Sequence, residues 1–259
     1  MFWESVLIAI IAIAVHKLVL FVVGSIRKDN SIVDVFYGLA FIIATSAVAF
    51  MLGVENIAGC IVLILIALWG VRLSYRIIKR HRGEDPRYRK WREEWMAKGR
   101  LYFYIRSFLQ VYVLQGGIIL IILLPTLGLI SQTRVPLFYV LVFGVFLWLV
   151  GFLFEVITDA QLDRYIKKPD PKPAIFTEGL YNYSRHPNYF GEATCWWAIW
   201  FITVAAVPSL WWTIISPLTI TYVLVAISAP MLERSFEGRE GWETYRNTIS
   251  YFLPLPPRK

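Results

Sequence analysis

Residues 108–130 read FLQVYVLQGGIILIILLPTLGLI, 23 positions without one charged side chain. A helix of about 20 apolar residues crosses the hydrocarbon layer of a bilayer, so this run predicts a membrane-spanning helix. Six more runs pass the same test, at 3–24, 32–53, 57–78, 135–157, 189–208 and 211–230. The expected architecture is therefore an all-α integral membrane protein of about seven transmembrane helices. Composition agrees: of 259 residues 58% are hydrophobic and only 17% charged, with a mean hydropathy of +0.57, whereas a soluble domain carries about a quarter charged residues. Disorder, a collagen-like repeat and a disulfide scaffold are excluded by the 16% aromatic content, the lack of a Gly-X-Y period and the presence of only Cys60 and Cys195.

The first run lacks a basic leader and a small-residue cleavage site before Arg27-Lys28-Asp29, so it reads as a retained helix and not a signal peptide. No internal repeat or low-complexity tract breaks the chain, which predicts a single membrane domain over 1–259. Pro125, Pro208, Pro217 and Pro230 are expected to kink or end helices.

Short turns at 54–56, 131–134 and around Pro208 alternate with longer polar stretches at 25–31, 79–107, 158–188 and 231–259. Of the 26 Lys and Arg residues, 22 fall in the longer stretches, while the short turns hold only Arg134. Cytoplasmic loops carry the positive excess, so the N-terminus is expected outside and the C-terminus in the cytoplasm. The net charge of +8 is then mostly topology, and no nucleic-acid partner is expected.

Ionisable residues inside membrane segments are costly and mark sites by default. Here they are His16, Lys17, Asp34, Arg72, Arg76, Glu155, Asp159, Glu192, Glu233 and Arg234. All but His16 and Lys17 lie near the cytoplasmic ends of their helices. Two readings stand: charges that snorkel singly to the headgroups, or a shared polar chamber open to the cytoplasm in which acids and bases pair. Such a chamber, lined by arginines and roofed by apolar helices, suits a ligand with a phosphate-bearing end and an apolar reaction partner. Arg80 and His81 head the basic stretch and are candidate phosphate contacts; the later arginines of that stretch also fit anionic lipid headgroups. His16-Lys17 has no assigned role at this level.

The stretch Gly179–Glu192, GLYNYSRHPNYFGE, concentrates Tyr181, Tyr183, Arg185, His186, Asn188 and Tyr189 where the sixth span begins. Helix N-termini favour anions, Pro187 suits a first turn, and an arginine reads phosphate bidentately. The residues alone leave open an interfacial aromatic belt with an anchoring arginine.

Tyr-x-x-x-Arg-His-Pro-x-Tyr-x-Gly at 181–191 resembles a signature shared by membrane sterol reductases and isoprenylcysteine-type carboxyl methyltransferases, and Gly191-Glu192 is similar to the reductase branch. Further matches run through Ser31–Gly38 (SIVDVFYG), Leu68–Leu73 (LWGVRL), Glu84–Arg89 (EDPRYR), Asp159-x-Gln161-Leu162, Leu232-Glu233-Arg234, Trp242-x-x-Tyr245-Arg246 and Phe252-Leu253-Pro254. The pattern is similar to bacterial members of the steroid 5-alpha-reductase-like family, a resemblance that implies the bacterial inner membrane. That resemblance implies NADPH-dependent reduction of a carbon–carbon double bond conjugated to a ketone in a steroid-like or isoprenoid lipid. It also implies substrate among helices 1–4, and cofactor among helices 5–7 with stretches 158–188 and 231–259. Asp159, Asn188 and Glu192 resemble NADPH-holding residues, with Tyr183, Arg185, His186, Arg72, Arg234 and Tyr245 in the same motifs. Asp34 matches the acid that helps polarise the substrate ketone. Animal steroid reductases carry Gln-Glu where this chain has Val33-Asp34, and their partner tyrosine aligns near Trp69, so the phenol is expected from Tyr37, with Tyr75 as the alternative.

The expected chemistry is hydride delivery to the β carbon while a protonated Asp34, its pKa raised by burial, and Tyr37 donate to the developing enolate oxygen. The competing enzyme is an S-adenosylmethionine-dependent membrane methyltransferase, which shares the Arg-His-Pro-x-Tyr-x-Gly element but typically carries Glu-Glu where this chain reads Glu233-Arg234. A transporter reading lacks the paired discontinuous helices and midplane charges of that class. No metal site is expected from three scattered histidines and two cysteines. Substrate identity and oligomeric state are not readable.

Overall fold

The computed structural model describes residues 1–133, 136–169 and 173–258, and among these every regular element is helical. Twelve α-helices follow in chain order: α1 Phe2–Arg27, α2 Ile32–Val35, α3 Tyr37–Leu52, α4 Ile57–Arg80, α5 Pro86–Met96, α6 Arg100–Ser107, α7 Leu114–Ile130, α8 Phe138–Lys167, α9 Pro187–Ala206, α10 Ile215–Tyr222, α11 Ala229–Glu233 and α12 Trp242–Thr248. Among the described residues, five stretches are long and apolar enough to cross a membrane: 2–27, 57–80, 100–130, 138–167 and 208–233. α3 is apolar but has only 16 residues, because the expected segment 32–53 breaks at Phe36 (φ −100°, ψ 18°) into α2 and α3. Asp34 therefore stands on a separate one-turn helix, outside the apolar spans. Arg134, Lys172 and Lys259 of the charge count lie outside the described residues.

The prolines act unequally. Pro125 sits inside a continuing α7, Pro208 opens a 3₁₀ turn over Pro208–Ile214, and Pro217 and Pro230 occupy first turns. A π-helical turn at Phe108–Val113 joins α6 to α7, and a second at Val223–Ser228 joins α10 to α11. Each inserts an offset in side-chain register without ending the helix.

The chain divides into two units: Met1–Pro136 with Thr203–Thr213, and Leu137–Ile202 with Ile214–Lys259. In the first, α1, α3, α4 and α7 pack on one another. The tightest meeting is between α3 and α4, where a Cβ on Gly38 would strike the Gly70 carbonyl oxygen and one on Gly70 would lie 2.6 Å from Gly38 O. Small residues give this close approach in lipid, where packing and not exclusion of water holds helices together. Asn56 caps α4, accepting from Gly59 N at 2.6 Å and donating to Leu129 O at 2.9 Å, which ties the start of α4 to the end of α7. Asp85 caps α5 by accepting from Arg87 N at 2.8 Å, with Pro86 in the first turn. α5 is amphipathic: Tyr88, Trp91 and Trp95 pack with Leu20, Val33, Phe103 and Tyr112 while Arg87, Arg89 and Lys90 face outward.

In the second unit α8 meets α9 at a similar glycine crossing, a Cβ on Gly151 lying 2.6 Å from Gly191 O. Residues 250–258 run back along the segment preceding α9. Arg185 N donates to Ser250 O (2.9 Å), Ser184 Oγ to Phe252 O (2.8 Å) and Leu255 N to Tyr183 O (3.0 Å).

Candidate functional site

Two polar clusters gather the candidate residues, one in each unit. The first is built on Asp34. The turn after α1 sets it up: Ser31 N donates to Asp29 Oδ1 at 2.9 Å, Asp85 N donates to Ser31 Oγ at 3.1 Å, and His81 Nε2 meets Asp29 Oδ2 at 3.0 Å. These bonds tie 29–31 to the segment between α4 and α5. Arg92 and Glu84 close that segment at 2.9 Å. The amphipathic seating of α5 then aims Tyr88 at Asp34, and the π turn ahead of α7 ends two residues before Gln115.

Asp34 uses its two oxygens differently. Oδ1 accepts from Tyr88 Oη at 3.0 Å and from Gln115 Nε2 at 3.1 Å. Oδ2 has no hydrogen-bond donor among the described residues. Arg87 Nη2 stands 3.7 Å from it, and that guanidinium is already committed to Asp85 through Nε at 3.0 Å and Nη2 at 3.1 Å. The carboxyl is 33% exposed and opens on a cavity of about 540 Å³ lined by Ser31, Arg80, His81, Glu84, Asp85 and Arg87 among others. Burial pushes the Asp34 carboxyl above its usual range, with Arg87 and the Tyr88 hydrogen bond opposing. Burial and the adjacent Asp34 raise the Tyr88 phenol well above normal, while the bonds from Arg87 hold Asp85 below its usual value against the opposing effect of its burial.

Behind Asp34 the polar chain continues inward. Gln115 Oε1 accepts from Lys17 Nζ, a side chain 3% exposed in the middle of α1.

The second cluster is built on Arg185 and His186. His186 Nε2 lies 2.8 Å from Glu233 Oε1, and Arg185 Nε 3.4 Å from the same oxygen. The guanidinium sits over the rings of Tyr251 (5.0 Å) and Trp242 (5.8 Å), and the imidazole stacks on Tyr189 at 5.2 Å. Tyr245 Oη donates to Tyr181 O at 2.8 Å. Burial lowers the Arg185 pKa, opposed by Glu233, and raises that of Tyr245. Arg185 Nη1 is sealed from solvent and has no hydrogen-bond partner among the described residues, while Nε, equally sealed, has only the 3.4 Å ion-pair contact with Glu233. A buried cation with unspent donors fits an anionic ligand group such as a phosphate.

The sequence-derived candidates are thus distributed. Asp34, Arg80 and His81 share the first cavity, so the latter two stand beside the acid. Arg72 lies on α4, half-buried, two turns before Arg80. The phenol that donates to Asp34 is Tyr88; Tyr37, expected to donate to the substrate oxygen alongside Asp34, packs its ring edge-on against Phe41 and Trp69, and the helix break at Phe36 separates it from the turn that carries Asp34. Tyr75, the alternative, is exposed on α4. In the second unit Arg185, His186 and Tyr245 are brought together. Asn188 lies in the first turn of α9, and Asp159 and Glu192 on α8 and α9 each have partners. Tyr183 is 45% exposed and Arg234 is exposed. Sequence reasoning missed Tyr88, Gln115 and the pairing of Glu233 with His186. The two glutamines, Gln110 and Gln115, inside the uncharged run 108–130 were the available signal for the second of these.

No curated protein and no solved structure matches the chain. Residues 20–249 match the model of a family described as a protein of unknown function, DUF1295, and the chain belongs to that family.

Proposed function

We propose that the protein reduces a carbon–carbon double bond conjugated to a ketone in a steroid-like or isoprenoid lipid, with NADPH as the reductant. The reading includes a seven-span topology, N-terminus outside, with the Asp34 cavity reached from the cytoplasm of a bacterial cell. The observation that carries it is the division of labour within Asp34: Oδ1 is saturated by Tyr88 and Gln115 while Oδ2 opens on the cavity. Protonated on Oδ2, Asp34 donates to a ketone oxygen and stabilises the negative charge that grows there, and loss of one such donor costs about 3 kcal/mol. Tyr88 holds the carboxyl in place. NADPH, when bound, would supply the hydride to the β carbon, and a water proton at the α carbon would complete the saturated ketone. Arg185, with donors to spare, would hold a cofactor phosphate. Glu233 orients the His186 ring, and Asp159, Asn188, Glu192, Tyr183, Arg234 and Tyr245 are the further cofactor contacts this reading requires.

Thermal shift of the detergent-purified protein with NADPH and with S-adenosylmethionine tests the reading. Stabilisation by NADPH alone, lost in Arg185→Ala and in Glu192→Ala, is the expected result, followed by NADPH consumption on a panel of enone lipids. Stabilisation by S-adenosylmethionine alone sinks the reductase and favours the methyltransferase.

A further inference from the structure

Lys17 occupies a place that lipid does not favour. It stands ten residues before the end of α1, roughly 15 Å along the helix, and is 3% exposed. Its amine meets one polar group among the described residues, the side-chain carbonyl of Gln115. An ammonium has three donors and no acceptor, so only the oxygen end of the Gln115 amide can face it. The other end, Nε2, is a donor and is the end that reaches Asp34 Oδ1 at 3.1 Å. Without Lys17 nothing polar among those contacts tells the two ends of the amide apart, and a flipped Gln115 would present an oxygen to Asp34.

That flip would change where a proton sits. With Nε2 and the Tyr88 hydroxyl both donating to Oδ1, the carboxyl proton belongs on Oδ2, which faces the cavity. With a glutamine oxygen opposite Oδ1, that oxygen could take the proton inward and leave Oδ2 with none to give. We infer that Lys17 is the positioning residue of the Asp34 site: by fixing the orientation of Gln115 it makes Oδ1 an acceptor and keeps the carboxyl proton on Oδ2, where a ligand carbonyl can receive it. This deepens the proposed reduction and rests on its use of Asp34 as a hydrogen-bond donor. The inference concerns a proton on one atom, and it is testable without substrate or cofactor.

The test is the infrared carbonyl stretch of the protonated Asp34 carboxyl in the full-length protein in detergent, identified as the band that disappears in Asp34→Asn. Its carbonyl is Oδ1, so each donor removed from Oδ1 moves the band to higher frequency. Lys17→Met and Gln115→Leu are both expected to shift the band upward, while Lys17→Arg, which restores a donor-only cation, returns it toward its original position. Circular dichroism shows whether each variant folds, and Gln115→Leu carries the test if Lys17→Met does not. A band present in the unmodified protein and unmoved by Lys17→Met or Gln115→Leu overturns the positioning role alone. No protonated-carboxyl band in the unmodified protein overturns the donor role of Asp34 and this inference with it. NADPH binding at Arg185 is read separately by thermal shift, so the two failures are told apart.

Discussion

Asp34 is held in a state that folding by itself does not favour. Its carboxyl is pushed above the unfolded value of 3.8, chiefly by burial, with Arg87, Tyr88 and Lys17 opposing and Asp85 reinforcing. The folded state therefore binds a proton that the unfolded chain has released, and stability falls as pH rises from 3.8 through the raised value. An amide in place of this carboxyl cannot ionise and preserves the acceptor oxygen, so Asp34→Asn is expected to be as stable as the original protein in acid. Its thermal midpoint should lie higher at neutral pH, with enone reduction lost. A midpoint gap that does not open with pH would count against the raised carboxyl. Tyr88→Phe removes one of the two donors to Oδ1 and is expected to lower turnover about tenfold, on the scale of a hydrogen bond to a charged or polarised group, while Tyr37→Phe leaves it within about twofold; steady-state rates on the same enone compare them. Asp34 was legible as an acid out of place. Its partners were not, because Tyr88 and Gln115 lie 54 and 81 residues from it along the chain, and Lys17 reaches it only through Gln115, 98 residues from Lys17; side-chain periodicity carries no information at that range.

Among the elements, the helices of the long apolar runs were readable because about 20 apolar residues have few alternatives in lipid. The break at Phe36 was not, since Ile32–Val35 and Tyr37–Leu52 together have the length and hydropathy of one span. The break matters because it turns Asp34 out of the lipid-facing series and lets it meet α5. The π turn at Phe108–Val113 was equally hidden, having no Gly or Pro to announce it. The α3–α4 crossing makes a sharp prediction. A side chain at Gly38 has the Gly70 backbone in its way and no flexible neighbour to yield, so Gly38→Val is expected to cost about 3 kcal/mol, the upper range for overpacking. Chemical denaturation in detergent measures this, and Gly117→Val, where nothing lies within 4 Å of an added Cβ, serves as the neutral comparison.

Across the whole molecule, the distribution of basic residues predicts sidedness more directly than the helix count does. With Cys60 and Cys195 replaced by alanine, Thr133→Cys is expected to react with a membrane-impermeant maleimide in intact cells, and Lys98→Cys only after permeabilisation; the reverse pattern would overturn the orientation. The two units were not read from the sequence, which predicted a single membrane domain over 1–259, and the grouping of Thr203–Thr213 with the first unit was hidden because nothing in that stretch's composition distinguishes it from the spans on either side. The strapping of Arg185 by the far end of the chain bears on how the protein is made. Ser184 takes its partner from a residue 68 positions later, so during synthesis the Arg-His segment stays open until Ser250, Phe252 and Leu255 have been added. A chain cut before Ser250 keeps every span yet leaves Tyr183, Ser184 and Arg185 without these partners, so the segment closes only after the spans have been made.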